Sequence, residues 1–376
     1  MLISRISEID HINDLEKEFE VKYGMRPVNV SSWHISEKFR EKMLRCMELP
    51  TFGNSLEYYY TYSITQNIQD AVLEKLGTQD QCAAITITPN NTISIVNIAN
   101  LLRLSGRRNI CVVNPAYFSI CQTFATMGLH YATELMHRNK NGYQIPYDEI
   151  LTQKYDVVWL TSPVFSTGVY LTDEDISKIY SLMEHDVFVV ADESFSLKGH
   201  ELIRRVGIQP NFIGIYSPHK AISCNSFKFS AIVSHSMYED ILEHWIDVLC
   251  GNLPQSTCGA VLHFVSDNYD ICLQEFMNLV DNARHRASSL LYGQKHDTDQ
   301  MAIGSMQTIY FNRISNNIID DDFFRNLYQK TYAGFLPGIL NGFDSSYGLC
   351  FRVNLALDCP EFQQALHRLV FYLDLL

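Results

Sequence analysis

Short apolar runs recur through the middle of the chain, separated by segments with a helical stripe. "AAITIT" (83–88), "NICVV" (109–113), "YDVVWL" (155–160), "DVFVVA" (186–191), "FIGIY" (212–216) and "FSAIV" (229–233) each read as a strand. After the first run, Ile95, Ile98, Ala99 and Leu102 fall at i, i+3, i+4 and i+7, which predicts an amphipathic helix. Thr172 predicts the cap of a second helix, with Ile176, Ile179, Tyr180 and Met183 as its stripe. Continuous apolar strands alternating with helices predict an α/β fold, a mostly parallel sheet sandwiched by helices. In such sheets ligands bind beyond the carboxyl ends of the strands. Polar punctuation stands at those ends: Asn90 and Asn91, Asn114-Pro115, the 161–168 loop, Asp192 and the 217–220 loop. Beyond about residue 237 the pattern turns helical, and 300–376 mixes short strands with a closing helix. The expected division is an N-terminal arm with part of a small α+β domain (1–48), a large domain (49–255), and a linking helix with the rest of the small domain (256–376).

Composition narrows the partners. The 376 residues carry a net charge of -13, and an acidic surface repels phosphate backbones, so no nucleic acid is expected. No apolar run nears the roughly 18 residues of a membrane span, and the first residues lack a signal-peptide pattern. The ten cysteines are scattered without a C-x-x-C pair, which suits a reducing compartment and a cytoplasmic protein. H-E-x-x-H, clustered Cys/His and G-x-x-x-x-G-K-[ST] patterns are missing, so neither a metal nor a nucleotide site is expected.

The chemistry gathers around "SPHKAISCNSFKF" (217–229), which sets Lys220 and Lys228 between two buried strands. A lysine there is costly unless paired or neutral. Desolvation lowers its pKa, and a neutral amine captures aldehydes. The order of motifs around it resembles the class I/II aminotransferases, the fold type I enzymes of pyridoxal 5′-phosphate. The resemblance spans nearly the whole chain. It implies Ser217-x-x-Lys220 as the Schiff-base loop and Lys228 as the phosphate cation, where the family usually has arginine. Asp192 in "VVADESF" would pair with the pyridine nitrogen. Asn90, Asn91 and Thr92 in "TPNNT" would offer N–H groups to the phosphate. Tyr117 in "NPAYF" would stack on the ring, and Arg352 in "GLCFRVNLAL" would hold the substrate α-carboxylate. In "EYYYTY" Tyr58 best fits the tyrosine sent to a partner's phosphate, with Tyr59 and Tyr60 as rivals; a homodimer is therefore implied. Ser32 and Trp33 in "NVSSWH" stand where the family closes over substrate.

Two places depart from the family. Phe165 in "SPVFSTG" replaces the asparagine, and Phe195 replaces the tyrosine, that donate to the cofactor's phenolic oxygen. Without those donors the Schiff base should hold its proton across neutral pH, unless Ser194, Ser162 or Thr167 has moved in. The expected activity is transamination between small amino and keto acids, with Lys220 as proton carrier. Elimination, replacement, cyclisation or decarboxylation is the alternative, and a non-catalytic ligand-binding protein a lesser one.

Overall fold

The computed structural model describes residues 2–46, 62–78, 80–140, 142–225, 228–251, 253 and 255–376. Strands β1 (Ala83–Thr88), β2 (Asn109–Asn114), β3 (His130–Leu135), β4 (Val157–Thr161), β5 (Phe188–Glu193), β6 (Phe212–Tyr216) and β7 (Ser230–His235) form one sheet in the order β1-β7-β6-β5-β4-β2-β3. β2 to β6 run parallel, and β7 lies antiparallel between β1 and β6. All six predicted runs are strands of this sheet. Alternate residues feed two separate cores. Ile110, Val112, Trp159 and Val190 enter one, and Cys111, Val113, Leu160 and Val189 the other. Both faces are thus covered, which explains why the runs are continuously apolar. The edge strand β3 escapes sequence reading because "HYATEL" is mostly exposed and carries no apolar run.

Helix α1 (Asn91–Leu104) follows β1 and buries Ile95, Ile98, Ala99 and Leu102 as predicted. Asn90 caps it, its side chain accepting from Ile93 N at 3.1 Å. Helix α2 (Asp173–Glu184) opens on a capping box between Thr172 and Asp175. Its buried stripe is Ile176, Ile179 and Leu182, not the expected Tyr180 and Met183. Successive three-residue steps keep Leu182 on the inward face. Tyr180 lies outside it, 39% exposed, and donates its hydroxyl to Val206 O at 2.9 Å.

The remaining chain builds a smaller layer. Gln255–His263, a π turn at Phe264–Asn268 and α3 (Tyr269–Leu291) form one helical run. β8 (Met306–Phe311) and β9 (Leu349–Asn354) pair antiparallel, and α4 (Pro360–Leu375) closes the chain. The N-terminal segment joins this layer, since Val28–Asn29 pairs with Ala333–Gly334. None of the ten cysteines, all of them described residues, forms a disulfide. Among the described residues no helix is long and apolar enough to cross a membrane.

Asp175 also accepts Ile145 N at 3.0 Å, so the capping box ties α2 to a neighbouring loop. Thr172→Ala should lower stability by about 1 kcal/mol, read from the urea midpoint at unchanged slope.

Candidate active site

The carboxyl ends of β4, β5 and β6 lie level, with Thr161 beside Asp192 and Asp192 beside Ile215. Just beyond them a cavity of about 390 Å³ opens between the sheet and the smaller layer. Trp33, Asn91, Tyr117, Phe165, Asp192, Phe195 and Lys220 all line it. Residues from six separate stretches of sequence therefore meet at one place, and all but Trp33 lie at or beyond the ends of strands of the sheet, as the strand order predicts.

Asp192 is the last residue but one of β5 and is 5% exposed. Burial raises its carboxyl above the ordinary value, against the pull of Ser194 donors and of Lys220. Ser194 donates to it twice, from the backbone N at 3.1 Å and from the hydroxyl. The Asn91 amide donates in turn to the Ser194 hydroxyl, and Ser217 donates to Asn91 Oδ1 at 3.0 Å. A chain of hydrogen bonds thus runs from the start of the Lys220 loop to the carboxylate. Lys220 sits in the single helical turn Pro218–Ala221 after β6. Desolvation lowers its ammonium below the usual lysine range, although Asp192 pulls the other way. Its Nζ lies 5.9 Å from the Phe195 ring centroid.

Aromatic rings form a continuous wall. Tyr117 and Phe165 centroids are 6.0 Å apart, Phe165 and Trp33 6.3 Å, and Trp33 stacks on Phe195 at 5.1 Å. Behind Trp33 stands Arg352 of β9, its guanidinium carbon 3.7 Å from the indole centroid. Arg352 is buried and donates to Ser31 O at 2.8 Å and to Ser166 Oγ at 3.4 Å. Among the described residues no carboxylate pairs with it. Burial pulls its pKa down to about 9.

The loop after β4 is pressed against the smaller layer. A Cβ on Gly168, at φ +74°, would lie 2.5 Å from Met306 O, and Ile303 N donates to Gly168 O at 2.8 Å. Only glycine fits there. Ser166 holds φ +69° in the same loop while reaching Arg352.

Other expected residues lie apart. Ser217 is one hydrogen bond behind the lining, through Asn91. Asn90 spends its side chain on the helix cap, Thr92 is exposed, and Ser32 accepts from His34 N at 3.2 Å. Lys228 is exposed and outside the lining. Tyr58 and its rivals Tyr59 and Tyr60 lie outside the described residues. Of the hydroxyls considered as substitute donors, Ser194 is bound to Asp192 and Thr167 to Val164 O at 2.8 Å, while buried Ser162 Oγ has no partner and stays outside the lining. Sequence reading missed Thr161, whose buried Oγ1 has no partner within the cavity wall, and the segment Ile303–Met306. A lone threonine and an irregular loop carry no pattern that would have revealed them.

Comparison with known proteins adds a family and a fold. The model of the family described as aminotransferase class I and II matches residues 34–369. Three solved structures are similar over most of the chain. A protein from Escherichia coli with a methionine aminotransferase function is 14% identical, with 96% of each chain covered and a TM-score of 0.75. An aspartate aminotransferase from Thermotoga maritima is 15% identical, covers 98% of this chain and 99% of its own, and has a TM-score of 0.76. A PLP-bound C-S lyase from Staphylococcus hominis is 14% identical, covers 93% and 91%, and has a TM-score of 0.70. No curated protein matches the chain.

The raised Asp192 carboxyl has a measurable consequence. A carboxyl whose folded pKa exceeds its unfolded value adds stability below the unfolded value, near pH 4, and loses it as pH rises through the folded one. Asp192→Asn should therefore raise the thermal midpoint of the cofactor-free protein at pH 7, and the gain should vanish below about pH 4.

Proposed function

The chain belongs to the aminotransferase class I and II family, and on that premise we propose that it is a pyridoxal 5′-phosphate enzyme transaminating a small amino acid. One observation carries the reading. Lys220, with its lowered pKa, and the buried Asp192 share a small cavity, and Arg352 lies buried behind its wall with no counter-charge among the described residues. Each is an unfavourable placement for a merely structural residue.

The residues present fit the cofactor. Lys220 offers a poised amine to its aldehyde. Asp192 offers a desolvated carboxylate to its pyridine nitrogen, and Tyr117 a ring to its face. The free N–H groups at the start of α1, with Ser217 and Lys228, would serve its phosphate. When bound, the cofactor supplies an electron sink that acidifies the substrate Cα. Arg352 would orient the substrate by a bidentate bond to its α-carboxylate. Lys220 Nζ would hold and move the substrate Cα proton, the proton transfer that transamination needs. Ser194 and Asn91 would keep the Asp192 carboxylate ionised and aligned. A homodimer completed by a partner's Tyr58 belongs to the same reading.

Phe165 and Phe195 support a second reading, elimination or replacement at the substrate side chain. They withhold donors from the phenolic oxygen, and Thr161 adds a buried hydroxyl without a partner to the cavity wall. Product analysis separates the two: a keto acid paired with a new amino acid, or ammonia with a cleaved side chain.

Purified protein mixed with pyridoxal 5′-phosphate should show a visible band that Lys220→Ala abolishes. With both phenylalanines in place the band should keep its protonated form into alkaline pH, and Phe195→Tyr should bring its transition toward neutral. Arg352→Met should weaken amino acid binding at least about thirtyfold, measured by titrating the band. A band indifferent to Lys220→Ala would overturn the assignment.

A further inference from the structure

We infer that the site takes amino acids with uncharged, apolar side chains of modest size and turns away dicarboxylates. The inference rests on the proposed role of Arg352 as the α-carboxylate anchor. Beside the reacting amine the cavity is walled by Trp33, Phe165, Phe195, Leu197, Ile303 and Met306. The Phe195 ring stands 5.9 Å from Lys220 Nζ, so this wall begins next to the reacting centre. Its aromatic members already pack on one another, from Tyr117 through Phe165 and Trp33 to Phe195. A substrate side chain projecting from the reacting carbon therefore meets carbon and few polar atoms.

Charge argues the same way. Lys220 is the reacting amine, and Arg352 is the α-carboxylate anchor. Among the described residues the lining offers one further basic group, His34, which is exposed at the rim. A second substrate carboxylate would lose water against the wall without a buried cation to receive it. Size sets the other limit. About 390 Å³ has to hold the cofactor ring together with the substrate, near the lower end of ordinary ligand sites.

Trp33 is the specificity-determining residue in this arrangement. It is 37% exposed, forms the outer part of the wall, and covers one face of Arg352. It joins the side-chain wall to the carboxylate anchor, so apolar side chains bind where the anchor also works.

The test measures binding of alanine, norvaline, methionine, aspartate and glutamate to the cofactor-loaded protein, by calorimetry and by titration of the visible band. Burying each methylene should tighten binding roughly fourfold, so norvaline should exceed alanine about fifteenfold. Aspartate and glutamate should bind at least tenfold more weakly than norvaline. Trp33→Ala should reduce the norvaline-to-alanine ratio below about threefold, and Trp33→Phe should restore most of it. Aspartate or glutamate binding as tightly as norvaline overturns the inference, as does a ratio that Trp33→Ala leaves intact. A Lys220-dependent band without any apolar preference defeats this inference alone. Should no band form, the proposed function fails first, and calorimetry on the cofactor-free protein still decides the preference.

Discussion

Uncompensated charge in a small apolar cavity is the constraint around which the site is arranged. Asp192, Lys220 and Arg352 are all desolvated, and each pKa is pushed toward the neutral form. An isolated buried charge is tolerated only if hydrogen bonds or a ligand repay its lost hydration. The fold supplies part of that. Ser194 donates twice to Asp192, and Ser31 O and Ser166 Oγ accept from Arg352. These contacts leave donor N–H groups of the guanidinium unspent. On the proposed function a cofactor and a carboxylate would provide what the protein leaves out. The deficit also explains why a wide, rigid sheet carries the site, since weak local structure could not hold three such groups together.

Much of this arrangement is legible in the sequence, because it follows strand order. Apolar runs mark β1, β2, β4, β5, β6 and β7, and the polar residues after β1, β2, β4, β5 and β6 meet at one end of the sheet. The exposed edge strand β3 is invisible to that logic. So is the true stripe of α2, where Tyr180 satisfies the periodicity but lies outside the buried face. Contacts between distant segments are harder still. Nothing in "NVSSWH" says that Trp33 will lie on Arg352, because the pairing arises only when Val28–Asn29 joins Ala333–Gly334 and brings the chain ends together. Ser194 stands out in the sequence only as a substitute donor; that it binds Asp192 and accepts from Asn91 is visible only in the fold.

The two asparagines after β1 show how one short turn divides its work. Asn90 turns outward to cap α1 and satisfy Ile93 N. Asn91 turns inward and binds the Ser194 and Ser217 side chains at once. A glycine at either place would free the backbone but lose these bonds. The turn therefore exchanges backbone freedom for side-chain contacts that reach Asp192. Lys228, exposed at the other side of the same region, stands apart from this network. Asp192, Lys220 and Tyr117 instead converge on the cavity.

Phe165 and Phe195 give the cavity its individual character. Polar residues there would offer donors to a phenolic oxygen. Phenylalanines instead extend the apolar wall and stack with Trp33 against Arg352. The same substitutions thus act on two properties at once. On the proposed function, removing donors would favour a protonated cofactor linkage, while adding carbon would favour an apolar substrate side chain. The wall also lowers the local dielectric around Lys220, which strengthens the pull of Asp192 on it and of Arg352 on a carboxylate. Chemistry and selectivity are in this way coupled through the same two rings. Phe165→Asn would restore a donor and open the wall at once, whereas Phe195→Tyr would restore a donor and keep the ring, so the two changes separate reactivity from substrate preference.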